Sequence, residues 1–488
     1  MDKQYVLAID QGTTSSRAIL FDRAGRSVGS AQREFTQLFP QPGWVEHDPR
    51  EILTSVYTTL TELLNREQVD PRSIAAIGIT NQRETVVAWD RQSGDPLGRA
   101  IVWQDRRTAD QCAILRQGGH EALVQRRTGL ILDPYFSATK MRWMLDHWPQ
   151  VAAAGDRLAF GTVESWLVWK LTGGLHISDA SNASRTQLMA LDGAGWDAEL
   201  CDLFGVPGSA LPAIVDNAGD FGATLPDLLG EPIPICGLAG DQQAATIGQG
   251  CLTTGAVKAT LGTGAFVLAS LGDRLPISAH RLLGTVLCQI DGRRHYALEG
   301  SIFVAGSLIQ WLRDSLGLIA AAADTDAIAR SVPDNGGVVL LPALAGLGAP
   351  YWRPEATGII SGLTHGTGRA HIIRAALESM AHQVHDLAAA FAADGAPWRM
   401  LRIDGGMSAN DWIAQDMADM LDLPVERPAD VETTARGAAM LAGLGCGLFA
   451  SLEAATDMAS ASTRFVPAME AGVRAVRLAE WHSVLAKP

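Results

Sequence analysis

Two segments of this chain share one layout. "LAIDQGTTSSRAILFD" (7–22) reads as an apolar strand, a Gly-Thr turn and a second apolar strand, and "AVKATLGTGAFVLAS" (256–270) repeats that order. Gly12-Thr13 and Gly262-Thr263 lie 250 residues apart in a chain of 488. A chain this long exceeds one ordinary core, so the repeat predicts two related halves, each opening on a hairpin. The expected domains are 1–249 and 250–488.

Strand-like and helix-like runs alternate between the two hairpins. "SIAAIGIT" (73–80) is a short apolar run of the kind buried in a central sheet. "ETVVAWD" (84–90) followed by "AIVWQD" (100–105) reads as another hairpin. "YFSATKMRWMLDHWPQ" (135–150) places Met141, Met144, Leu145 and Trp148 at helical spacing. The second half adds helices over "SLIQWLRDSL" and "HIIRAALESMAHQVHDLAAAF" and a strand at "MLRIDGG" (400–406). A further helix, "TTARGAAMLAGLG" (433–445), is built of small residues suited to close packing. With 47% apolar residues and 50 glycines, the class is globular α/β.

Charge and cysteine usage exclude several functions. The net charge is −14, only five lysines occur and no basic cluster exists, so the electrostatic footprint of nucleic-acid binding is missing. Six scattered cysteines show neither CxxC nor Cys/His ligand spacing, which predicts free thiols in a reducing cytoplasm. The N-terminus lacks a basic n-region and its apolar run breaks at Asp10, unlike a signal peptide. The longest apolar stretch, "VVLLPALAGLGA" (338–349), is broken by Pro342 and is too short for a bilayer span.

"GRSVG" (25–29) has the spacing of a nucleophile elbow but lies in a polar turn without the following helix. No G-x-x-x-x-G-K-[ST] occurs, so any nucleotide phosphates must be held without a Walker loop. Two strand-end acids remain, Asp10 and Asp241, placed where α/β sheets bind ligands. A Gly-containing turn can present backbone N–H groups as an anion nest. Thr13, Thr14 and Ser15 add hydroxyl donors to that turn, and Arg17 adds a cation. A turn at Thr263 facing them would clamp phosphates from the other side. Phosphoryl transfer needs such donors, an acid for Mg²⁺ and a base for the acceptor hydroxyl. Asp241 reads equally well as a plain helix cap. Arg83-Glu84 reads first as a surface ion pair, although a donor fork beside an acceptor is also how a site holds vicinal hydroxyls.

"DQGTTSSRA", "GITNQRET", "WQDRRT", "GLILDPYFSATK", "AGDQQAA", "GTGAF", "GSLIQWLRD", "APYW", "HIIRAALES", "LRIDGGMSAN" and "VERP" follow one another across nearly the whole chain. Together they resemble the FGGY family of carbohydrate kinases. The resemblance implies two ribonuclease-H-like, actin-type ATPase domains with the active site in the interdomain cleft. It implies ATP and Mg²⁺ as cofactors and glycerol as the substrate, with another polyol or a ketose as the alternative. A non-catalytic actin-like scaffold would lack Asp10 or Asp241, and both are present.

The metal acid of the family falls on Asp10, the acceptor base on Asp241, and the phosphate hairpin on Thr13, Thr14, Ser15 and Arg17. Polyol contacts fall on Arg83, Glu84, Tyr135, Asp241 and Gln242, with Trp103 and Phe266 as an apolar wall. ATP contacts of the second half fall on Thr263, Gly306, Gln310, Gly406 and Asn410. A cytoplasmic homo-oligomer, dimer or tetramer, is expected, with no nucleic-acid partner and no membrane insertion. Family members under sugar-phosphate feedback carry a basic, glycine-rich loop where this chain reads "GATLPDLLGEPIPICG". That segment has acids and no Lys or Arg, so feedback of this kind is expected to be weak or absent.

Overall fold

The computed structural model describes residues 3–459 and 462–487. The first sheet runs in the order Ile235–Gly240, Ile74–Asn81, Tyr5–Gln11, Ser15–Asp22, Ser27–Glu34. Tyr5–Gln11 pairs antiparallel with Ser15–Asp22, which pairs antiparallel with Ser27–Glu34. On its other side, Ile74–Asn81 and then Ile235–Gly240 add in parallel.

The second sheet has seven strands. Five of them repeat the arrangement of the first: Arg293–Ile302, Ala265–Gly272 and Ala256–Leu261 antiparallel, then Met400–Asp404 and Val425–Pro428 in parallel. Leu283–Ile290 and Ser462–Phe465 extend its two edges. Both opening hairpins have the same loop length, Gly12 to Thr14 and Gly262 to Gly264. The repeat seen in the sequence is therefore a repeat of topology.

Central strands of both sheets are continuous apolar runs because helices cover both faces. Helix Pro49–Arg66 seals one face of the first sheet with Ile52, Val56, Leu60 and Leu63. Helix Arg369–Ala393 buries Ile373, Leu377, Met380 and Leu387 in the core of the second half. The other face of the first sheet is covered by a helix from the opposite half, Thr433–Gly445, together with Asp241–Gly248. Glycine makes this possible: a Cβ on Gly437 would sit 1.8 Å from the Ala244 carbonyl oxygen, and one on Gly248 1.9 Å from that of Thr433. The small-residue helix brings the halves into backbone contact.

Glu46–His47, from before the strand that ends at Asn81, and three strands from between that strand and Ile235–Gly240 form a four-stranded sheet, in the order Glu46–His47, Ala100–Ile101, Val86–Asp90, Leu158–Thr162. The hairpin expected over 84–105 is present but short, because only Val86 pairs with Ile101 and the main partner of Val86–Asp90 is Leu158–Thr162. Helix Ser137–His147 lies within the expected segment. None of the six cysteines forms a disulfide. Among the described residues no helix is long and apolar enough to cross a membrane.

Candidate active site

Asp10 and Arg17 are direct partners across the first hairpin, so their side chains share one face. The turn closes with the Gly12 N–H donating to the Ser15 carbonyl at 2.9 Å, and the Thr14 carbonyl accepts from the Phe35 N–H. Ser15 Oγ accepts from Gln32 Nε2 at 2.9 Å, and Gln32 Oε1 accepts from Arg17 at 3.0 Å. Arg17 also pairs with Glu432, at the head of the helix contributed by the second half. Burial pushes the Asp10 carboxyl up, Arg17 pulls it down, Asp241 and Glu432 push it up again, and it settles at about 7. Such a carboxylate gains from a nearby cation.

Asp241 stands at the end of the strand Ile235–Gly240. Gly240 is the helix cap and Asp241 the first helical residue. Its Oδ1 accepts from the Gln242 N–H at 2.7 Å and lies 3.2 Å from Arg83 Nε, while Oδ2 accepts no hydrogen bond among the described residues. A carboxylate held by one oxygen with the other open can take a proton from a hydroxyl. The helix cap is thus Gly240, and Asp241 is the first residue inside the helix.

Arg83 is buried and contacts Glu299, Asp241, Gln243 and Tyr135. Glu84 is buried in the left-handed backbone region, at φ +61°, and accepts from Arg185 Nε at 2.7 Å. A non-glycine residue there is held by its surroundings. Trp103 joins both halves: its Nε1 donates to Thr13 Oγ1 at 2.9 Å, and its ring meets Phe266 edge-on at 6.0 Å. Tyr135 packs against the same indole at 5.7 Å. A small wall of three aromatic rings therefore stands beside Arg83 and Asp241.

In the second hairpin the Gly262 carbonyl accepts from the Gly306 N–H at 2.8 Å, and the Thr263 carbonyl accepts from Ser307 Oγ at 3.0 Å. A Cβ on Gly306 would lie 2.6 Å from the Gly262 oxygen, so the helix Gly306–Asp314 starts against this turn only because residue 306 is glycine. Gln310 is exposed one turn along that helix. Gly406 opens a short turn after the strand Met400–Asp404. Asn410 caps the helix Asp411–Leu421, accepting from the Ile413 N–H, and donates to Thr325 Oγ1. Both helix starts are closed within the protein: the Gly306 and Ser307 N–H groups donate to the Gly262 and Thr263 carbonyls, and the Trp412 N–H donates to Asp326.

Sequence reasoning did not find Arg185, Glu299, Lys258, Gln243 or Glu432. Lys258, fully buried, donates to Gln242 Oε1 at 2.7 Å and to Thr260 Oγ1 at 3.0 Å. Glu299, also fully buried, is gripped by Arg83 and Arg185. The available signal was a charge inside an apolar strand, "AVKATL" and "HYALEGSI". Nothing local marks Glu432, whose partner is 415 residues away.

Two halves of one topology, each opening on a Gly-Thr hairpin, are the frame of a class of sugar and polyol kinases. The chain belongs to the FGGY family of carbohydrate kinases: the family's N-terminal domain matches residues 5–248 and its C-terminal domain residues 257–446. It is 55% identical to glycerol kinase of Stenotrophomonas maltophilia, over 100% of this chain and 98% of that one. The glycerol kinase of Plasmodium falciparum, solved with ADP, superposes with a TM-score of 0.93 at 34% identity, covering 99% of this chain and 98% of that chain. Xylulose kinase from Lactobacillus acidophilus shares the fold, with a TM-score of 0.88 at 22% identity over 98% and 96% of the two chains. The fold is the two-domain, actin-type arrangement expected from the sequence.

Proposed function

We propose that the protein transfers the γ-phosphoryl group of ATP to a terminal hydroxyl of glycerol, giving sn-glycerol 3-phosphate. The observation that carries this reading is the convergence of Arg83, Asp241, Tyr135, Trp103 and Phe266 on one spot beside Asp10. Glycerol is three hydroxyls on a bare carbon chain. Arg83 donates to its hydroxyls, Glu84 and Asp241 accept, Tyr135 and Gln242 complete the polar contacts, and the Trp103 and Phe266 rings cover the C–H face. Identity of 55% to a glycerol kinase over the full chain supports this substrate over a ketose.

Asp241 accepts the proton of the attacking hydroxyl through its open oxygen. Arg17 offsets charge on the transferred group, with Thr13, Thr14 and Ser15 around the phosphates. Thr263, Gly306, Gln310, Gly406 and Asn410 receive the nucleotide from the other side. Asp10 is the residue that would hold Mg²⁺, which when bound neutralises phosphate charge. No group of three or more His, Cys, Asp or Glu among the described residues stands ready to cage a metal. A single carboxylate completed by phosphate oxygens suits Mg²⁺, which binds through one or two carboxylates. Catalysis of this kind is positioning and electrostatics, which rigid strand ends provide.

The polyol site, apart from its Phe266 wall, and the first hairpin belong to domain 1–249, and the ATP site and second hairpin to domain 250–488. Free thiols throughout support a cytoplasmic enzyme. Homo-oligomers complete the reading, and light scattering on the eluting protein measures them. A coupled ADP-release assay with glycerol, dihydroxyacetone, xylulose and ribitol tests the substrate. Glycerol should give the highest kcat/KM; a large advantage for xylulose or ribitol would remove the substrate reading and leave the kinase reading in place.

A further inference from the structure

Arg83 has five N–H donors, and the structure shows where they go. Nε lies 3.2 Å from Asp241 Oδ1. Nη1 reaches Glu299 Oε2 at 2.6 Å and Gln243 Oε1 at 3.3 Å. Nη2 reaches Glu299 Oε1 and Tyr135 Oη, both at 3.3 Å. Glu299 therefore takes both prongs of the guanidinium, the geometry in which an arginine is most tightly oriented. The long contacts to Gln243 and Tyr135 are the ones a substrate hydroxyl can replace.

Glu299 comes from the opposite half, on the strand Arg293–Ile302. Its neighbour Leu283–Ile290 is fastened to the first half along its length. The Gly284 N–H donates to the Gly129 carbonyl at 2.8 Å, the Val286 N–H to Ser184 Oγ at 3.2 Å and the Gln289 N–H to Asn217 Oδ1 at 2.7 Å. Arg185 donates to Glu299 Oε1 at 2.9 Å and to Glu84 at 2.7 Å. An alternating line of charges results: Glu84, Arg185, Glu299, Arg83, Asp241. Burial pushes the Glu299 carboxyl up, but Arg185 and Arg83 more than offset it and hold it at about 2. It is a permanent anion within this line.

We propose that Glu299 is a positioning residue for polyol recognition, aiming the Arg83 guanidinium at the substrate hydroxyls from across the domain boundary; this rests on the reading of Arg83 as a polyol ligand. Glu299 touches no reacting atom and acts through Arg83. With it replaced, Arg83 is left to Asp241 and Glu84 on one side only, and its free prongs no longer share a fixed plane. Arg185 keeps Glu84 in place, so the loss falls on one end of the polyol site.

Steady-state kinetics, with glycerol and ATP varied separately, on E299Q, E299D, R83K and the double variant E299Q/R83K test the proposal. E299Q is expected to raise the KM for glycerol roughly tenfold to a hundredfold, while the KM for ATP moves less than about twofold. In the double variant E299Q should add less than about twofold to the effect of R83K, because both act through one guanidinium. Equal rises in both KM values, or full additivity in the double variant, would overturn it. Should E299Q fail to fold, E299D keeps the charge and shortens the reach by one methylene. A raised glycerol KM with an unchanged ATP KM then supports the proposal, and an unchanged glycerol KM overturns it. An R83K protein with normal glycerol KM would instead remove the reading of Arg83 itself, and with it the role of Glu299.

Discussion

Gly437→Ala puts a methyl carbon 1.8 Å from the Ala244 carbonyl oxygen, 2.5 Å from its carbonyl carbon and 3.0 Å from its Cα. All three atoms are backbone, so no rotamer change relieves the overlap. Ordinary contact begins at 3.4 Å, so the two helices must separate by about 1.6 Å along that line. Overpacking of this kind costs about 1–3 kcal/mol or more. The displaced helix begins at Asp241, whose oxygen now lies 3.2 Å from Arg83. A misplacement of about 1 Å at a reacting group costs roughly a hundredfold in rate. Gly437→Ala is therefore expected to lower kcat in the coupled ADP-release assay by about two orders of magnitude and to lower the thermal midpoint by several degrees.

Gly472→Ala, on the helix Ala471–Leu485 where a Cβ meets nothing within 4 Å, is the control. It should keep full activity and gain at most about 1 kcal/mol from helix propensity. A Gly437→Ala protein with wild-type midpoint and kcat within about twofold would refute the idea that backbone contact between these helices sets the position of Asp241.

Asp241→Asn, which removes the proton acceptor, should lower kcat by about 10²–10⁴ with glycerol while calorimetric ATP affinity stays the same; an active variant would overturn the mechanism. Burial holds His47 near 4 and His382 near 3, against an ordinary 6.5, so both are neutral in the folded protein. Stability is therefore unaffected above about pH 6.5, falls as pH drops below that value because only the unfolded chain takes up the protons, and levels off near 4 for His47 and near 3 for His382, where the folded protein protonates too. Urea unfolding at pH 5 should show roughly 1–2 kcal/mol lost per histidine relative to pH 7.5, and a flat profile would contradict it. Millimolar fructose 1,6-bisphosphate should leave the rate within about twofold, since the segment 222–237 carries acids and no Lys or Arg. Marked inhibition would show that another surface binds it.

The sequence by itself determined what lies between near neighbours. The strand-turn-strand unit over 5–22 follows from an apolar run, a Gly-Thr turn and a second apolar run, and antiparallel pairing then places Arg17 opposite Asp10. The same local logic predicts 256–272 and the small-residue helix 433–445. Resemblance to a family then marked Arg83, Trp103, Tyr135 and Phe266, residues that no periodicity singles out.

Only the tertiary structure decided which distant groups meet. Arg83 finds Glu299 216 residues on, and Arg17 finds Glu432 415 residues on. These pairings depend on how two sheets are brought together, and that depends on Gly248 and Gly437 letting helix backbones touch. A buried charge needs its partner in space, and spacing along the chain carries no record of it. Glu299 is a lone charge within the buried end of its strand; packed between Arg83 and Arg185, it is the anion that joins the two halves beside Arg83.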